Sequence, residues 1–179
     1  MNPFMARGRV TKILIGINLL VFLAQYTSGG NVTELLHLVP SQVFFEPWTI
    51  VTSGFAHADP LHLLLNMYSL WIFGEAIENF IGAKRFVFLY LMSIVAGSIA
   101  FIIFDSAGSV VGASGGIFGL MGAYFIIIRA LGYRSSQMLV LIGLNVVLGF
   151  TNPYIAISAH IGGLVAGAAI AWYYTMRKR

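Results

Sequence analysis

There is no cysteine among the 179 residues. Disulfides, thiolate zinc sites and iron–sulfur clusters are excluded with it. Charge is nearly as scarce: 9% of the residues are charged against 59% hydrophobic, and the mean hydropathy is +0.88. A soluble domain usually carries about 25% charged residues, so lipid is the solvent for most of this chain. No HExxH motif occurs, which removes the usual zinc-hydrolase helix. Low-complexity tracts are missing too. The length suits one compact unit, and residues 1–179 are read as a single membrane domain with no separate soluble part.

What is present is a set of six apolar stretches, at roughly 10–26, 60–77, 86–104, 113–128, 137–150 and 155–174. They are continuous rather than alternating, which reads as helices and not as barrel strands. Arg7, Arg9 and Lys12 ahead of the first stretch resemble the front of a signal peptide. But Asn18 interrupts the apolar centre, and Leu23-Ala24-Gln25-Tyr26 is a poor small-residue cleavage site, so a retained helix is expected. The fold class expected is all-α: a polytopic bundle of six transmembrane helices.

Basic residues are absent between helices one and two, three and four, and five and six. All ten lie elsewhere: at 7, 9 and 12, at 84 and 85, at 129 and 134, and at 177–179. Short cytoplasmic loops are the ones enriched in Lys and Arg. Six helices in a bacterial or archaeal cell membrane, with both termini cytoplasmic, satisfy every basic residue. The pI near 9.6 is then a topology signal, and no nucleic-acid partner is expected. The first outer connection, 27–59, is long and carries Leu35, Leu36, Leu38, Val39, Phe44, Phe45 and Trp48, broken by Pro40 and Pro47. Such a segment either lies in the membrane interface or packs on the bundle.

Polar groups inside a membrane are costly, which makes them functional candidates. Helix two carries His62 and Asn66, four apart and on one face. Helix six carries His160, and Ser114 opens helix four within Gly112-Ala113-Ser114-Gly115. On the topology above all four lie toward the outer ends of their helices. A serine hydroxyl needs a base to take its proton, and His160 is a suitable one. Acyl transfer also needs donors aimed at a developing oxyanion. The Ser114 N–H, at the positive end of a helix, is one candidate, with the His62 and Asn66 side chains as two more. No Asp or Glu is at hand to orient the base, so the arrangement reads as a dyad.

Helix four adds a depth argument. Its 15 residues from Ser114 to Ile128 span about 22 Å, less than the roughly 30 Å of hydrocarbon. With Arg129 at the cytoplasmic surface, Ser114 lies below the outer one, and 106–113 is irregular backbone at membrane depth. That is tolerated where the backbone is buried in protein or beside water, and a hydrolase needs such water as a substrate.

Each residue also has a packing reading. GxSG alone is weak, because Gly and Ser are common in membrane helices. His160 can bond between helices, and Asn66 can join two of them. His37 and His57 read as interfacial or loop-stabilising, and Asn18, Gln137, Asn145 and Ser158 as structural. Gly115, Gly119 and Gly122, with Gly163 and Gly167, are spaced for close helix packing.

Together the motifs resemble the rhomboid family. They are His62-Leu63-Leu64-Leu65-Asn66, Gly112-Ala113-Ser114-Gly115, and Ala159-His160-Ile161-Gly162-Gly163 leading to Gly167, in that order along nearly the whole chain. The resemblance implies an intramembrane serine endopeptidase that cuts in or near transmembrane helices of membrane-protein substrates. It implies Ser114 as nucleophile, His160 as base, and His62, Asn66 and the Ser114 N–H as oxyanion donors, with no metal and no cofactor. It also implies a membrane-embedded first loop and a mobile fifth helix as lateral gate. That helix is short, at about 14 residues or roughly 21 Å, so smaller side chains at Leu148 and Phe150 are expected to loosen it. His57 and Glu78 fall where the family often has structural polar residues.

Two positions depart from the family pattern. Thr49 follows Trp48 where an arginine is common, and Phe118 stands where a tyrosine is common, able to pack on His160 but not to hydrogen-bond. The alternative within the family is a non-catalytic binder or escort of transmembrane helices, although inactive relatives lack the serine or histidine. Outside it stand a haem protein ligated by His62 and His160, and a transporter, whose polar residues would line a path across rather than cluster at one side. Oligomeric state and natural substrate are not legible in the sequence.

Overall fold

The computed structural model describes residues 8–105, 108–151 and 155–177, with only the backbone described over 148–151. Arg7, Ser106, Lys178 and Arg179 lie outside the described residues, as do the side chains of Leu148 and Phe150. Six long helices form the bundle: α1 (Arg9–Thr27), α4 (Pro60–Ile81), α5 (Ala83–Phe104), α6 (Ser114–Ala130), α7 (Ser136–Thr151) and α8 (Ile157–Met176). Two short helices, α2 (Asn31–Leu36) and α3 (Thr49–Thr52), lie in the connection between α1 and α4. Among the described residues there is no strand, only an isolated antiparallel bridge between Leu38 and Val110.

α1, α5 and α8 are each long and apolar enough to cross a membrane. The 22 residues of α5 extend about 33 Å, the thickness of the hydrocarbon core. Large apolar side chains face outward all round the bundle, among them Leu20, Leu64, Ile103 and Val165. Water would not tolerate such a surface and lipid does. The chain is an all-α, polytopic integral membrane protein.

Two devices hold the bundle at the end where the basic residues gather. The Glu78 carboxylate of α4 accepts from the Val10 and Thr11 N–H groups at 3.0 and 2.9 Å and from the Thr11 hydroxyl at 2.8 Å. A carboxylate from one helix thus satisfies the free amide donors at the start of another. Lys12 and Glu75 add an ion pair at 3.5 Å. Asn18 does not interrupt α1: its amide donates to the Leu14 carbonyl of the preceding turn at 2.7 Å and is fully buried.

The central crossing is made by glycine. A Cβ on Gly163 would strike the carbonyl of Gly115, and one on Gly167 the carbonyl of Gly119. One on Gly97 would come within 2.7 Å of the Ala159 carbonyl. The backbones of α5, α6 and α8 therefore approach as closely as backbones can, the way small residues pack helices in lipid.

The α1–α4 connection is tied down without the arginine that the resemblance leads one to expect. Thr49 is buried, and its hydroxyl donates to the Glu46 carbonyl at 2.6 Å. Trp48 Nε1 donates to the Leu35 carbonyl at 3.0 Å, while Phe44 and Phe45 are almost wholly exposed. Exposed aromatics beside a buried anchor suit a loop seated in the membrane interface.

Candidate active site

Ser114 sits where an irregular strand-like segment turns into a helix. Leu38 and Val110 exchange two backbone hydrogen bonds at 3.0 Å, which fastens the segment to the α1–α4 connection. Two residues on, Gly112 donates its N–H to the Ser53 carbonyl at 2.9 Å with φ +137°, a conformation that favours glycine. α6 then begins at Ser114, so the Ser114 N–H has no intrahelical acceptor.

His160 arrives on α8, one turn into that helix. Its Nε2 lies 2.9 Å from the Ser114 hydroxyl oxygen. The Phe118 ring stacks on the imidazole, with centroids 4.1 Å apart and planes 14° from parallel. The tyrosine-to-phenylalanine departure thus leaves the stack in place and supplies no hydroxyl. His160 Nδ1 is buried with no hydrogen-bond partner among the described residues, so no carboxylate orients the ring.

The α4 side is set by its cap. Asp59 is the N-cap, its carboxylate accepting from the His62 N–H at 2.9 Å, and Pro60 occupies the first turn. His62 Nδ1 takes a long hydrogen bond from the Ala58 N–H, 3.5 Å. That bond leaves Nε2 as the protonated nitrogen, and the ring edge faces the Gly112 backbone. A Cβ on Gly112 would fall 2.9 Å from His62 Nε2 and 3.6 Å from the Ser114 hydroxyl. Asn66 lines the same cleft and also donates back to the His62 carbonyl at 2.9 Å. One amide hydrogen is therefore committed to the helix, and the second is free to face the cleft.

All four candidates border one cleft of about 280 Å³, with Phe118 and Asn145 also in its wall. The other polar residues divide. Asn145 donates to the Leu141 carbonyl at 2.8 Å and still reaches the cleft wall. Ser158 hydrogen-bonds Asp105, joining the start of α8 to the end of α5. His37 caps the C-terminal end of α2, with Nδ1 3.1 Å from the Thr33 carbonyl.

One contributor escapes the sequence reading. Gln25, near the C-terminal end of α1, accepts from the His57 N–H at 2.9 Å and donates to the His57 carbonyl at 3.1 Å. The same amide nitrogen donates to the Thr33 hydroxyl at 2.9 Å. His57 is buried, and its ring meets the His62 ring edge-on with centroids 5.2 Å apart. Burial first, and then the neighbouring His62, pushes the His57 imidazole down to about 4 and keeps it neutral. Gln25 therefore braces the wall against which His62 rests. A lone glutamine late in an apolar run was the available signal.

The rhomboid domain pattern matches residues 45–177. The chain belongs to the rhomboid family. It is 33% identical over 171 residues to the rhomboid protease GluP of Bacillus subtilis, covering 88% of this chain but only 33% of GluP. Its identity to the rhomboid protein YdcA of the same organism is 33% over 139 residues, covering 74% of this chain and 70% of YdcA. Rhomboid protein 1, mitochondrial, of Saccharomyces cerevisiae is 29% identical over 166 residues, with 45% of its length covered. The chain thus spans about a third of the length of GluP and under half of the yeast protein. Rhomboids are intramembrane proteases acting on transmembrane substrates, and some members are inactive.

Proposed function

We propose that this rhomboid is an active serine endopeptidase that hydrolyses peptide bonds in or near the transmembrane helices of membrane-protein substrates. The observation that carries the reading is the 2.9 Å contact of His160 Nε2 with the Ser114 hydroxyl inside a cleft. His160 takes the hydroxyl proton as Ser114 Oγ bonds to the scissile carbonyl carbon. The tetrahedral oxyanion is met by the Ser114 N–H, by His62 Nε2–H and by the free amide hydrogen of Asn66. His160 then returns the proton to the leaving amine. A water, deprotonated by the same imidazole, releases the acyl group and restores Ser114.

The buried, unpartnered Nδ1 favours a dyad over a triad. Phe118 does the orienting instead, since a ring stacked at 4.1 Å limits rotation of the imidazole. The site is proposed to face the outer side of a cell membrane, with both termini in the cytoplasm, because the described basic residues gather at the far end. Residues 1–179 are read as one such domain.

Cleavage of a model transmembrane substrate in detergent tests the proposal. Ser114→Ala and His160→Ala are each expected to lower turnover by about 10⁴–10⁶-fold, and a chelator is expected to leave it unchanged. Substantial turnover by purified Ser114→Ala would refute the assignment. An inactive wild type that still binds the substrate helix would favour the non-catalytic escort.

A further inference from the structure

A second cleft opens at the basic end of the bundle, between α4, α6 and α7, with a volume of about 450 Å³. Its inner walls are apolar, made by Phe73 and Ile77 of α4, Ile127 of α6 and Leu141 of α7. Its mouth is not: Arg134 and Gln137 stand there, both exposed. The chain reversal after α6 puts them in place. Gly132, at φ +82°, donates to the Arg129 carbonyl, and the Tyr133 N–H to the Ile128 carbonyl, both at 3.0 Å. This pair of bonds closes a helix and folds the chain back beneath it.

Four of the seven described basic residues at that end are engaged by a ring or a carboxylate, and Arg9, Lys84 and Arg134 are not. Arg85 lies over the Tyr174 ring, Arg129 over Phe125 and Arg177 over Tyr173, while Lys12 pairs with Glu75. Arg134 makes no ion pair or ring contact among the described residues. The nearest wall of its cleft offers it no carboxylate.

An apolar slot capped by an uncommitted guanidinium matches an amphipathic anion. A helix about 10 Å across fills roughly 420 Å³ per turn, so this space holds only about one turn of a partner helix. An acyl chain suits it better, and volumes near this are typical of small-ligand sites. The guanidinium fork suits a phosphate diester.

We propose that this cleft binds an anionic phospholipid from the leaflet at the basic end, its phosphate on Arg134 and Gln137 and one acyl chain along Phe73, Ile77 and Leu141. The inference needs the membrane setting but not the protease reading. The two meet in one respect: Phe73 and Leu141 also line the candidate active-site cleft, so the lipid occupies the lower half of the seam between α4 and α7.

Native mass spectrometry of the full chain tests this, with phosphatidylglycerol and phosphatidylcholine of identical chains offered in equal amounts. The wild type is expected to retain phosphatidylglycerol about five-fold over phosphatidylcholine, the size of preference one basic group gives at a membrane surface. Arg134→Gln is expected to erase that preference, and Arg129→Gln, whose guanidinium is already held by Phe125, to keep it. Leu141→Trp, which fills the slot, is expected to reduce retention of both lipids. Glycerol phosphate, a headgroup without chains, is expected not to compete. No preference in the wild type, a preference that survives Arg134→Gln, or displacement by glycerol phosphate would each overturn the proposal.

Discussion

Where α6 meets α8, Gly163 and Gly167 lie against the carbonyls of Gly115 and Gly119 with no room for a Cβ. Where α4 faces α7, two clefts of about 280 and 450 Å³ run end to end and share Phe73 and Leu141 as walls. The first seam carries Ser114 and His160. The second carries the oxyanion candidates His62 and Asn66 on one side and Asn145 on the other. The contrast teaches a division of labour. A nucleophile and its base must hold hydrogen-bond geometry within a fraction of an ångström, and backbone-to-backbone packing supplies that. On the proposed function a substrate helix has to enter from the side, and the loosely packed seam is the proposed route.

Closing the open seam breaks the contrast most severely. Because the chain has no cysteine, Phe73→Cys with Leu141→Cys gives a unique pair across it. Bridging the two with a short bifunctional thiol reagent is expected to abolish cleavage of a transmembrane substrate and to spare reaction with a small serine probe. Undiminished cleavage in the bridged protein would remove the α4–α7 seam as the entry route.

Next come the donors on the α4 side. His62→Ala and Asn66→Ala are each expected to lower kcat by about 10²–10³-fold, or roughly 3–4 kcal/mol, with little change in KM. The Asn66 amide already bonds the His62 carbonyl, so a purely structural role predicts a lower Tm with full activity. Measuring kcat and Tm on the same preparations separates the two.

On the tight seam the effect should appear as stability. Gly167→Val forces a branched side chain onto the Gly119 carbonyl, and overpacking of this kind costs about 1–3 kcal/mol. The expected result is a clearly lowered Tm, whereas an equally large change at Val147, which faces outward on α7, is expected to leave Tm within a degree or two of wild type.

The smallest expected effect is that of Gln25→Ala. It removes two hydrogen bonds to the His57 backbone and one to the Thr33 hydroxyl and leaves buried backbone groups unpaired, at a cost of about 1–2 kcal/mol. A lowered Tm with a several-fold lower kcat fits a brace behind His62. An unchanged Tm would contradict it.

What was legible in the sequence follows from where the information resides. A continuous apolar run is a local property, so the all-α membrane fold could be read directly from composition and run length. Ser114, His62, Asn66 and His160 stood out as candidates because polar side chains are rare in lipid, and the structure gathers all four at one cleft. The Gln25–His57 brace and the Leu38–Val110 bridge were not legible, because each ends on backbone groups far away along the chain, and backbone groups carry no residue signature. Thr49 makes the same point in reverse. An arginine missing after Trp48 suggests a lost anchor, yet the buried Thr49 hydroxyl bonds the Glu46 carbonyl three residues before it.

The central claim is that Ser114 is a nucleophile activated by His160. Labelling with a fluorophosphonate probe in detergent tests it directly, since the probe reacts with an activated serine and needs no knowledge of the natural substrate. The wild type should label stoichiometrically at Ser114, Ser114→Ala should not label, and His160→Ala should label far more slowly. A wild type that cleaves substrate yet stays unlabelled, or a Ser114→Ala protein that labels at the wild-type rate, would contradict the account.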